Sequence, residues 1–299
     1  MTATETNPAV PAWFAEALDT RPTHGTLVVD DAEIAYRVWD RREGDGDPRG
    51  IVLVHGGAAH AGWWDHIGPQ LARTHRVVAF DLSGHGDSEW REGYTYDRWA
   101  DELVAVAAAV GIVDDLVVVG HSMGGIVAMR AAVRHPEVVT DVVIVDSELF
   151  DAADIARMME HGAPTDTMIP REPRRYATRD EALARYRLLP EQETLPYIRD
   201  HVAAGSVTRD EKGWRWKFDR SFPTLLTDPT PVPPPTCTLA IVRAEHGVMD
   251  PSRAQALHDS RSDGTATLVT LAGAGHHVML DRPLELLAEL RDVLGDRQE

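Results

Sequence analysis

The chain has 299 residues, and its 48 Asp and Glu residues outnumber its 30 Lys and Arg residues, which gives a formal net charge of −18. This balance argues against nucleic acid or an anionic membrane as a main partner, because binding phosphates requires clusters of Lys and Arg. The single cysteine excludes an internal disulfide framework and a zinc site built on cysteines. With 43% hydrophobic residues, the chain has the composition of a globular protein with a substantial core.

The hydropathy pattern gives an expectation for location. No segment approaches the roughly 18–20 continuous apolar residues that a membrane span requires. The first residues carry Glu5 and lack the basic and then apolar pattern of a signal peptide. We therefore predict a cytoplasmic protein without a membrane partner.

Short β-branched runs alternate with helical patterns along most of the chain. Strands are predicted at residues 26–29, 33–38, 51–54, 77–80, 116–119, 142–145, 239–242 and 266–271. Helices are predicted at residues 64–73, 96–110, 123–134, 251–258 and 283–294. The middle runs are apolar at consecutive positions, which is typical of parallel strands covered on both faces. The pattern predicts an α/β fold with a doubly wound, mostly parallel sheet of eight strands, led by an antiparallel hairpin.

The alternation stops between residues 147 and 235. This stretch contains helical patterns at residues 152–161, 179–188 and 193–204, an aromatic segment at 214–218, and five prolines within residues 229–235. Long loops without structure are uncommon in compact domains. We therefore predict a helical lid at residues 147–235, inserted into a core domain formed by residues 1–146 and 236–299.

A turn between a predicted strand and a predicted helix holds the candidate nucleophile. The pattern Gly-x-Ser-x-Gly is formed by Gly120, Ser122 and Gly124. Glycines are needed there because the turn forces strained backbone angles at the serine and crowds its neighbours. The turn would present the Ser122 hydroxyl at the carboxyl edge of the sheet, where open α/β sheets bind ligands. The helix N-terminus behind it favours developing negative charge.

Further motifs follow in a fixed order along the chain. They are His-Gly-Gly at 55–57, Asp-Leu-Ser-Gly-His-Gly-Asp-Ser at 81–88, His-Pro at 135–136 and Gly-His at 275–276. Together with the serine turn, they show that the chain resembles the α/β-hydrolase superfamily over about residues 26–295. The resemblance implies a serine hydrolase of a small molecule with no cofactor. None of the 14 histidines falls in a recognisable metal-ligand pattern, so no metal is predicted.

The resemblance also implies a general base and an oxyanion hole. In the family, the base directly follows a glycine and lies seven residues before the proline that opens the last helix. His276 fits this pattern relative to Pro283, and its neighbour His277 is the alternative. The backbone N–H groups of Gly57 and Met123 are the expected oxyanion donors.

The catalytic acid departs from the common pattern. Relatives usually carry it in a loop after the seventh strand, where this chain has Gly247. The acid could stay on that loop as Glu245 or Asp250, or lie at the end of the sixth strand. Asp146 lies ten residues after the proline of the His-Pro motif, which is the spacing of family branches that use the sixth strand. We predict Asp146, and Asp250, Glu245 and Glu148 remain open.

These roles predict hydrolysis of a carboxylic ester or lactone through an acyl-enzyme on a Ser-His-Asp triad. Hydrolysis of a carbon–carbon bond in a β-diketone or ring-cleavage product is the alternative, since it uses the same triad. A non-catalytic ligand-binding protein on the same scaffold is a minor alternative. Trp64, Trp214 and Trp216 are predicted to contact a largely apolar substrate, although they could instead attach the lid to the core. The sequence does not predict the oligomeric state.

Overall fold

The computed structural model describes residues 10–43, 48–148, 153–154, 172–227, 231–261 and 263–295. The strands are β1 (Thr23–Val29), β2 (Ala32–Trp39), β3 (Gly50–Val54), β4 (Arg76–Phe80), β5 (Leu116–His121), β6 (Val139–Val145), β7 (Val207–Asp210), β8 (Gly213–Trp216), β9 (Thr238–His246) and β10 (Ala266–Gly275). Eight of them form one sheet in the order β1-β2-β4-β3-β5-β6-β9-β10. In this sheet β2 is antiparallel to both β1 and β4, and all other neighbours are parallel.

Helices cover both faces of the sheet. They are α1 (Ala12–Asp19), α2 (Gly68–Leu71), α3 (Tyr96–Ala109), α4 (Met123–Arg134), α5 (Arg179–Leu183), α6 (Pro196–Gly205), α7 (Phe222–Leu225), α8 (Pro251–Asp259), α9 (Val278–Asp281) and α10 (Pro283–Leu294). Capping explains several boundaries: the Thr95 side chain accepts the Arg98 N–H at the start of α3, and α10 ends at Gly295 with φ of 76°.

Two apolar cores lie on opposite faces of the sheet. Leu53 belongs to the core that contains Trp64, whereas its neighbour Val52 belongs to the core that contains Trp99. Every residue of β3 and β5 is buried, as expected for central parallel strands. The predicted α/β fold with a mostly parallel sheet of eight strands is therefore confirmed.

Local differences from the predicted elements have physical causes. The helix predicted at 64–73 is replaced by a 3₁₀ turn at Ala61–Trp64 and the short α2, because Gly68 and Pro69 interrupt the helical pattern. The helix α1 and the hairpin of β7 and β8 were not predicted. Most of the helix predicted at 152–161 lies outside the described residues.

Residues 172–227, here called the inserted segment, lie over the carboxyl edge of the sheet. The Leu195 N–H donates to the Leu280 carbonyl at 2.9 Å, and the Asp219 N–H donates to the Gly84 carbonyl at 2.8 Å. Part of the predicted lid is thus joined to core loops by backbone hydrogen bonds, while its boundaries at 147 and 235 stay a prediction.

Within the described ranges, no helix has both the length and the apolar character needed to cross a membrane. The cytoplasmic location stays a prediction.

Candidate active site

The serine turn has the strained backbone that its sequence predicts. Ser122 lies between β5 and α4 with φ of 54° and ψ of −123°. A positive φ is uncommon for a residue with a Cβ atom, and such positions cluster at active sites. The Ser122 N–H donates to the carbonyl of Val145 on β6 at 3.0 Å, so the sheet fixes the backbone of the turn.

The glycines of the turn allow backbone segments to approach one another. A Cβ atom at Gly120 would lie 2.1 Å from the carbonyl oxygen of Gly124. A Cβ atom at Gly124 would lie 2.5 Å from the carbonyl oxygens of Val54 and His55. Helix α4 can therefore begin directly against the end of β3 only with glycine at these positions.

Ser122, His276 and Asp146 form a continuous chain of hydrogen bonds. His276 Nε2 lies 3.1 Å from Ser122 Oγ, and His276 Nδ1 lies 2.8 Å from Asp146 Oδ2. An ionised carboxylate only accepts hydrogen bonds, so Nδ1 carries the hydrogen and Nε2 is left to accept the serine proton. His276 is 4% exposed and Asp146 is fully buried.

The carboxylate of Asp146 is held by the loop after β9. It accepts the backbone N–H groups of Ala244 at 3.1 Å and of Val248 at 2.8 Å. A Cβ atom at Gly247 would lie 2.1 Å from Asp146 Oδ2. The carboxylate thus occupies the space that a side chain at position 247 would need.

The other three candidate acids have different surroundings. Asp250 accepts the N–H groups of Ser252 and Arg253 as the N-cap of α8, and the hydrogen bond from the Ser252 side chain is the main cause that lowers the pKa of Asp250. Glu245 accepts the Gly273 N–H at 2.7 Å, and Glu148 is exposed.

Of the predicted oxyanion donors, Met123 directly follows Ser122, and Gly57 follows Gly56, where a Cβ atom would lie 3.1 Å from Ser122 Cβ. Among the described residues, neither the Gly57 N–H nor the Met123 N–H has a hydrogen-bond partner. The loop before Gly57 is held by His55, whose Nδ1–H donates to the Gly56 carbonyl at 2.7 Å and whose Nε2 accepts the Leu82 N–H at 3.1 Å.

Two further histidines surround His276. The His121 ring donates from Nε2 to the His276 carbonyl at 2.9 Å. Burial, followed by the positive charge of protonated His276 and His277, lowers the pKa of His121 well below its ordinary range. Burial, with a smaller contribution from His276, lowers the pKa of His277 to about 3. Rings with lowered pKa values are weak proton acceptors, and His276 is the histidine with a hydrogen bond to Ser122 Oγ, which makes His276 the better candidate for the base.

His121, His276 and His277 also form the group of potential metal ligands found in the described part of the chain, with ligand nitrogens within 4.8 Å of one another. Both ring nitrogens of His276 and Nε2 of His121 have hydrogen-bond partners in this arrangement. The chemistry of the cluster is that of a hydrogen-bonded base, and the prediction of no metal stays a prediction. The sequence did not indicate this group because His121 lies 155 residues before His276.

A cavity of about 360 Å³ adjoins these groups. Gly57, Trp63 and His277 line it from the core domain, and Tyr186 and Trp216 line it from the inserted segment. Its size lies within the range of small-molecule sites. Trp216, a predicted substrate contact, thus lines the same cavity as Gly57 and His277.

Two other predicted substrate contacts lie outside the lining of this cavity. Trp64 is fully buried in the core, and Trp63 lines the cavity instead. Successive side chains of a 3₁₀ turn point about 120° apart, so only one of the two tryptophans can face the cavity. Trp214 lies outside the lining, and its backbone pairs with Tyr176.

Comparisons with known proteins identify the family to which the chain is similar. Residues 51–290 match the model of the alpha/beta hydrolase family. Esterase Rv0045c of Mycobacterium tuberculosis is 27% identical over 293 residues, which cover 96% of each chain. The 2-hydroxymuconate semialdehyde hydrolase of Pseudomonas sp. strain CF600 is 38% identical over 102 residues, which cover 32% of this chain and 36% of that protein.

The fold is also similar to solved structures. The crystal structure of E-2-(acetamidomethylene)succinate hydrolase superposes with a TM-score of 0.71 and 19% identity, covering 92% of this chain and 99% of that chain. At this identity the likeness concerns the fold alone.

Proposed function

The chain belongs to the alpha/beta hydrolase family and is a hydrolase of that fold, and from this premise we propose that it hydrolyses carboxylic esters or lactones through an acyl-enzyme on Ser122. The observation that carries the proposal is the hydrogen-bond chain from Ser122 Oγ through His276 to Asp146. The substrate proposed from the aromatic side chains of the cavity is a largely apolar small molecule.

Acylation follows from the positions of these groups. His276 Nε2 takes the proton of Ser122 Oγ as that oxygen attacks the substrate carbonyl carbon. Asp146 stabilises the imidazolium that forms and keeps the ring in the required tautomer. The N–H groups of Gly57 and Met123 donate to the oxyanion of the tetrahedral intermediate, and one such donor typically contributes about 3–4 kcal/mol.

The end of acylation and the deacylation that follows use the same residues. The imidazolium of His276 protonates the leaving alkoxide, which departs as an alcohol and leaves an acyl group on Ser122. His276 then takes a proton from water as the water oxygen attacks the acyl carbonyl carbon. Collapse of the second tetrahedral intermediate returns the proton to Ser122 and releases the carboxylic acid.

Hydrolysis of 4-nitrophenyl acetate tests the proposal. We expect turnover by the wild-type protein, stoichiometric labelling of Ser122 by a fluorophosphonate, and loss of both in Ser122→Ala with an unchanged circular dichroism spectrum. Turnover that survives in Ser122→Ala would reject the assignment. A wild-type protein that is folded but neither turns over nor is labelled would favour the non-catalytic binding protein.

Carbon–carbon bond hydrolysis is the second candidate, motivated by the match to 2-hydroxymuconate semialdehyde hydrolase over about one third of the chain. It would use the same serine and histidine on a ketone carbonyl. A panel of β-diketones assayed beside the esters distinguishes the two functions, because a carbon–carbon hydrolase would have its higher kcat/KM on the diketones.

A further inference from the structure

The cavity beside Ser122 has a charge opposite to that of the whole chain. Four arginines line it, and its described lining contains neither Asp nor Glu, although the chain carries a net charge of −18. The four are Arg174, Arg185, Arg187 and Arg220. A local cluster of one charge with no compensating residue produces a field that attracts the opposite charge.

The arginines of this cavity are not neutralised by any carboxylate in the described part of the chain. None of the four forms an ion pair with a carboxylate of the described residues. Arg187 donates to the Tyr186 carbonyl at 2.7 Å, and Arg174 lies over the Tyr176 ring at 5.3 Å. Neighbouring Arg175 behaves differently, because it pairs with Asp210 at 2.7 Å. Within the inserted segment, an arginine outside the cavity is thus paired with a carboxylate, whereas the arginines of the cavity remain available to bind an anion.

Two buried polar side chains on the same cavity also lack hydrogen-bond partners in the part of the chain that the structure describes. Trp63 is 5% exposed and Tyr186 is 7% exposed, and both line the cavity. Neither Trp63 Nε1 nor Tyr186 Oη has a hydrogen-bond partner among the described residues. Burial raises the pKa of Tyr186, so its phenol remains a donor at neutral pH. A ligand with oxygen acceptors would satisfy both groups, which otherwise stay buried at a cost in free energy.

The arginines share their cavity with neighbours of the reacting groups, although Ser122 and His276 are not themselves in its lining. Gly57, the proposed oxyanion donor, and His277, which follows His276, line the cavity together with Arg185 and Arg220. A single small molecule can therefore place an ester at Ser122 and an anionic group at the arginines.

We propose that the enzyme selects esters whose acyl or alcohol part carries a carboxylate, bound by Arg185 and Arg220. Arginine suits this role because its planar guanidinium binds carboxylate oxygens in pairs. Trp63 and Tyr186 would donate to further oxygens of the same substrate. This inference rests on the proposed ester hydrolysis, and it names the substrate class of that site.

Matched pairs of esters test the inference. 4-Nitrophenyl hemiglutarate carries a carboxylate on its acyl part, and 4-nitrophenyl methyl glutarate has a methyl ester in its place. 4-Acetoxybenzoate carries a carboxylate on its alcohol part, and its methyl ester is the neutral partner. In the wild-type protein, we expect kcat/KM to favour the anionic ester at least tenfold in one pair. In Arg185→Gln/Arg220→Gln, that ratio should fall at least tenfold. Arg209→Gln, which changes an exposed arginine outside the cavity lining, should preserve the ratio.

Failure of this inference and failure of the proposed function give different results. Equal kcat/KM values within both pairs, or a ratio unaffected by the double substitution, would overturn carboxylate recognition while leaving ester hydrolysis intact. Absence of hydrolysis of all four esters would reject the proposed function. Calorimetric binding of both ester pairs to Ser122→Ala measures carboxylate recognition without turnover. A preference below threefold for the anionic ester in both pairs would overturn it.

Discussion

A Cβ atom at Gly247 would lie 2.1 Å from Oδ2 of Asp146, so the two positions cannot both carry a side chain in the observed backbone. The loop after β9 has a glycine where relatives usually carry their acid, and the carboxylate arrives from the end of β6 instead. The glycine at position 247 and the acid at the end of β6 both differ from the common family pattern, and the same steric conflict explains both. This steric conflict predicts the effects of substitutions at Asp146 and at Gly247.

Asp146→Asn should lower kcat by about 10³–10⁴-fold, because the amide cannot both hold the correct tautomer of His276 and stabilise its charged form. Steady-state kinetics on 4-nitrophenyl acetate measure the effect, with thermal unfolding to verify that the variant is folded.

Asp250→Asn is the matched control for the acid. Asn is nearly as good an N-cap as Asp, so α8 should remain capped and kcat should change less than threefold. If Asp250→Asn rather than Asp146→Asn abolished turnover, the acid would lie on the loop after β9.

Gly247→Ala should destabilise the protein by about 1–3 kcal/mol and reduce kcat, because the new methyl group must displace the carboxylate of Asp146. Urea denaturation gives the free energy of unfolding, and kinetics give the effect on turnover.

Gly93→Ala provides the comparison for this substitution. Its Cβ atom would meet the Leu225 carbonyl oxygen at 3.7 Å, which is an ordinary contact. The variant should retain wild-type kcat and stability within about 0.5 kcal/mol. Equal effects of the two alanine substitutions would contradict the steric argument at position 247.

Ser122→Gly should be more stable than Ser122→Ala by about 1 kcal/mol. Glycine relieves the backbone strain at φ of 54°, typically about 1–3 kcal/mol, but makes the unfolded chain more flexible by about 0.4–1 kcal/mol. Both variants should be inactive, so unfolding midpoints can be compared without differences in ligand binding. A less stable glycine variant would show that the turn stores little strain.

Stability should fall as the pH falls from about 6.5 towards 4. Burial lowers the pKa of His60 and His66 to about 4 and that of His85 and His277 to about 3. In this window the unfolded chain binds protons at histidines that the native chain keeps neutral, so the free energy of unfolding rises with pH. Each such histidine contributes at most about 1.4 kcal/mol per pH unit.

Urea denaturation at pH 7, 6 and 5 measures this dependence. In His66→Gln, the slope of unfolding free energy against pH should decrease by up to one proton, because His66 is buried and its Nδ1 has no partner among the described residues. An unchanged slope would show that His66 is protonated in the native state.

Local sequence patterns were sufficient to predict the sheet and to identify Ser122 as the candidate nucleophile. The serine lies in a short pattern whose strand, turn and helix are all readable from consecutive residues. His276 is 154 residues from Ser122, and only the family spacing indicated it. The glycine at position 247 carried a usable signal for Asp146, since its absent side chain marks where the carboxylate lies.

Other features depend on tertiary packing that sequence periodicity does not encode. Trp63 and Trp64 are adjacent and chemically identical, and only the direction of the 3₁₀ turn decides which one reaches the cavity. The strands β7 and β8 have four residues each and are mostly half-buried, so neither gives a clear alternating pattern. The arginines of the cavity come from separate parts of the inserted segment, and folding alone brings them together.

The Ser122 N–H bonds to Val145 on β6, and the Asp146 N–H bonds to Val242 on β9 at 2.8 Å. The serine and the carboxylate are therefore positioned by adjacent strands, whose spacing of about 4.8 Å is among the most rigid dimensions of a protein. His276 follows β10, which lies at the edge of the sheet and is separated from β6 by β9. Heating would detach this edge strand before the central strands separate, so the enzyme would lose activity at temperatures where the centre of its sheet is still intact.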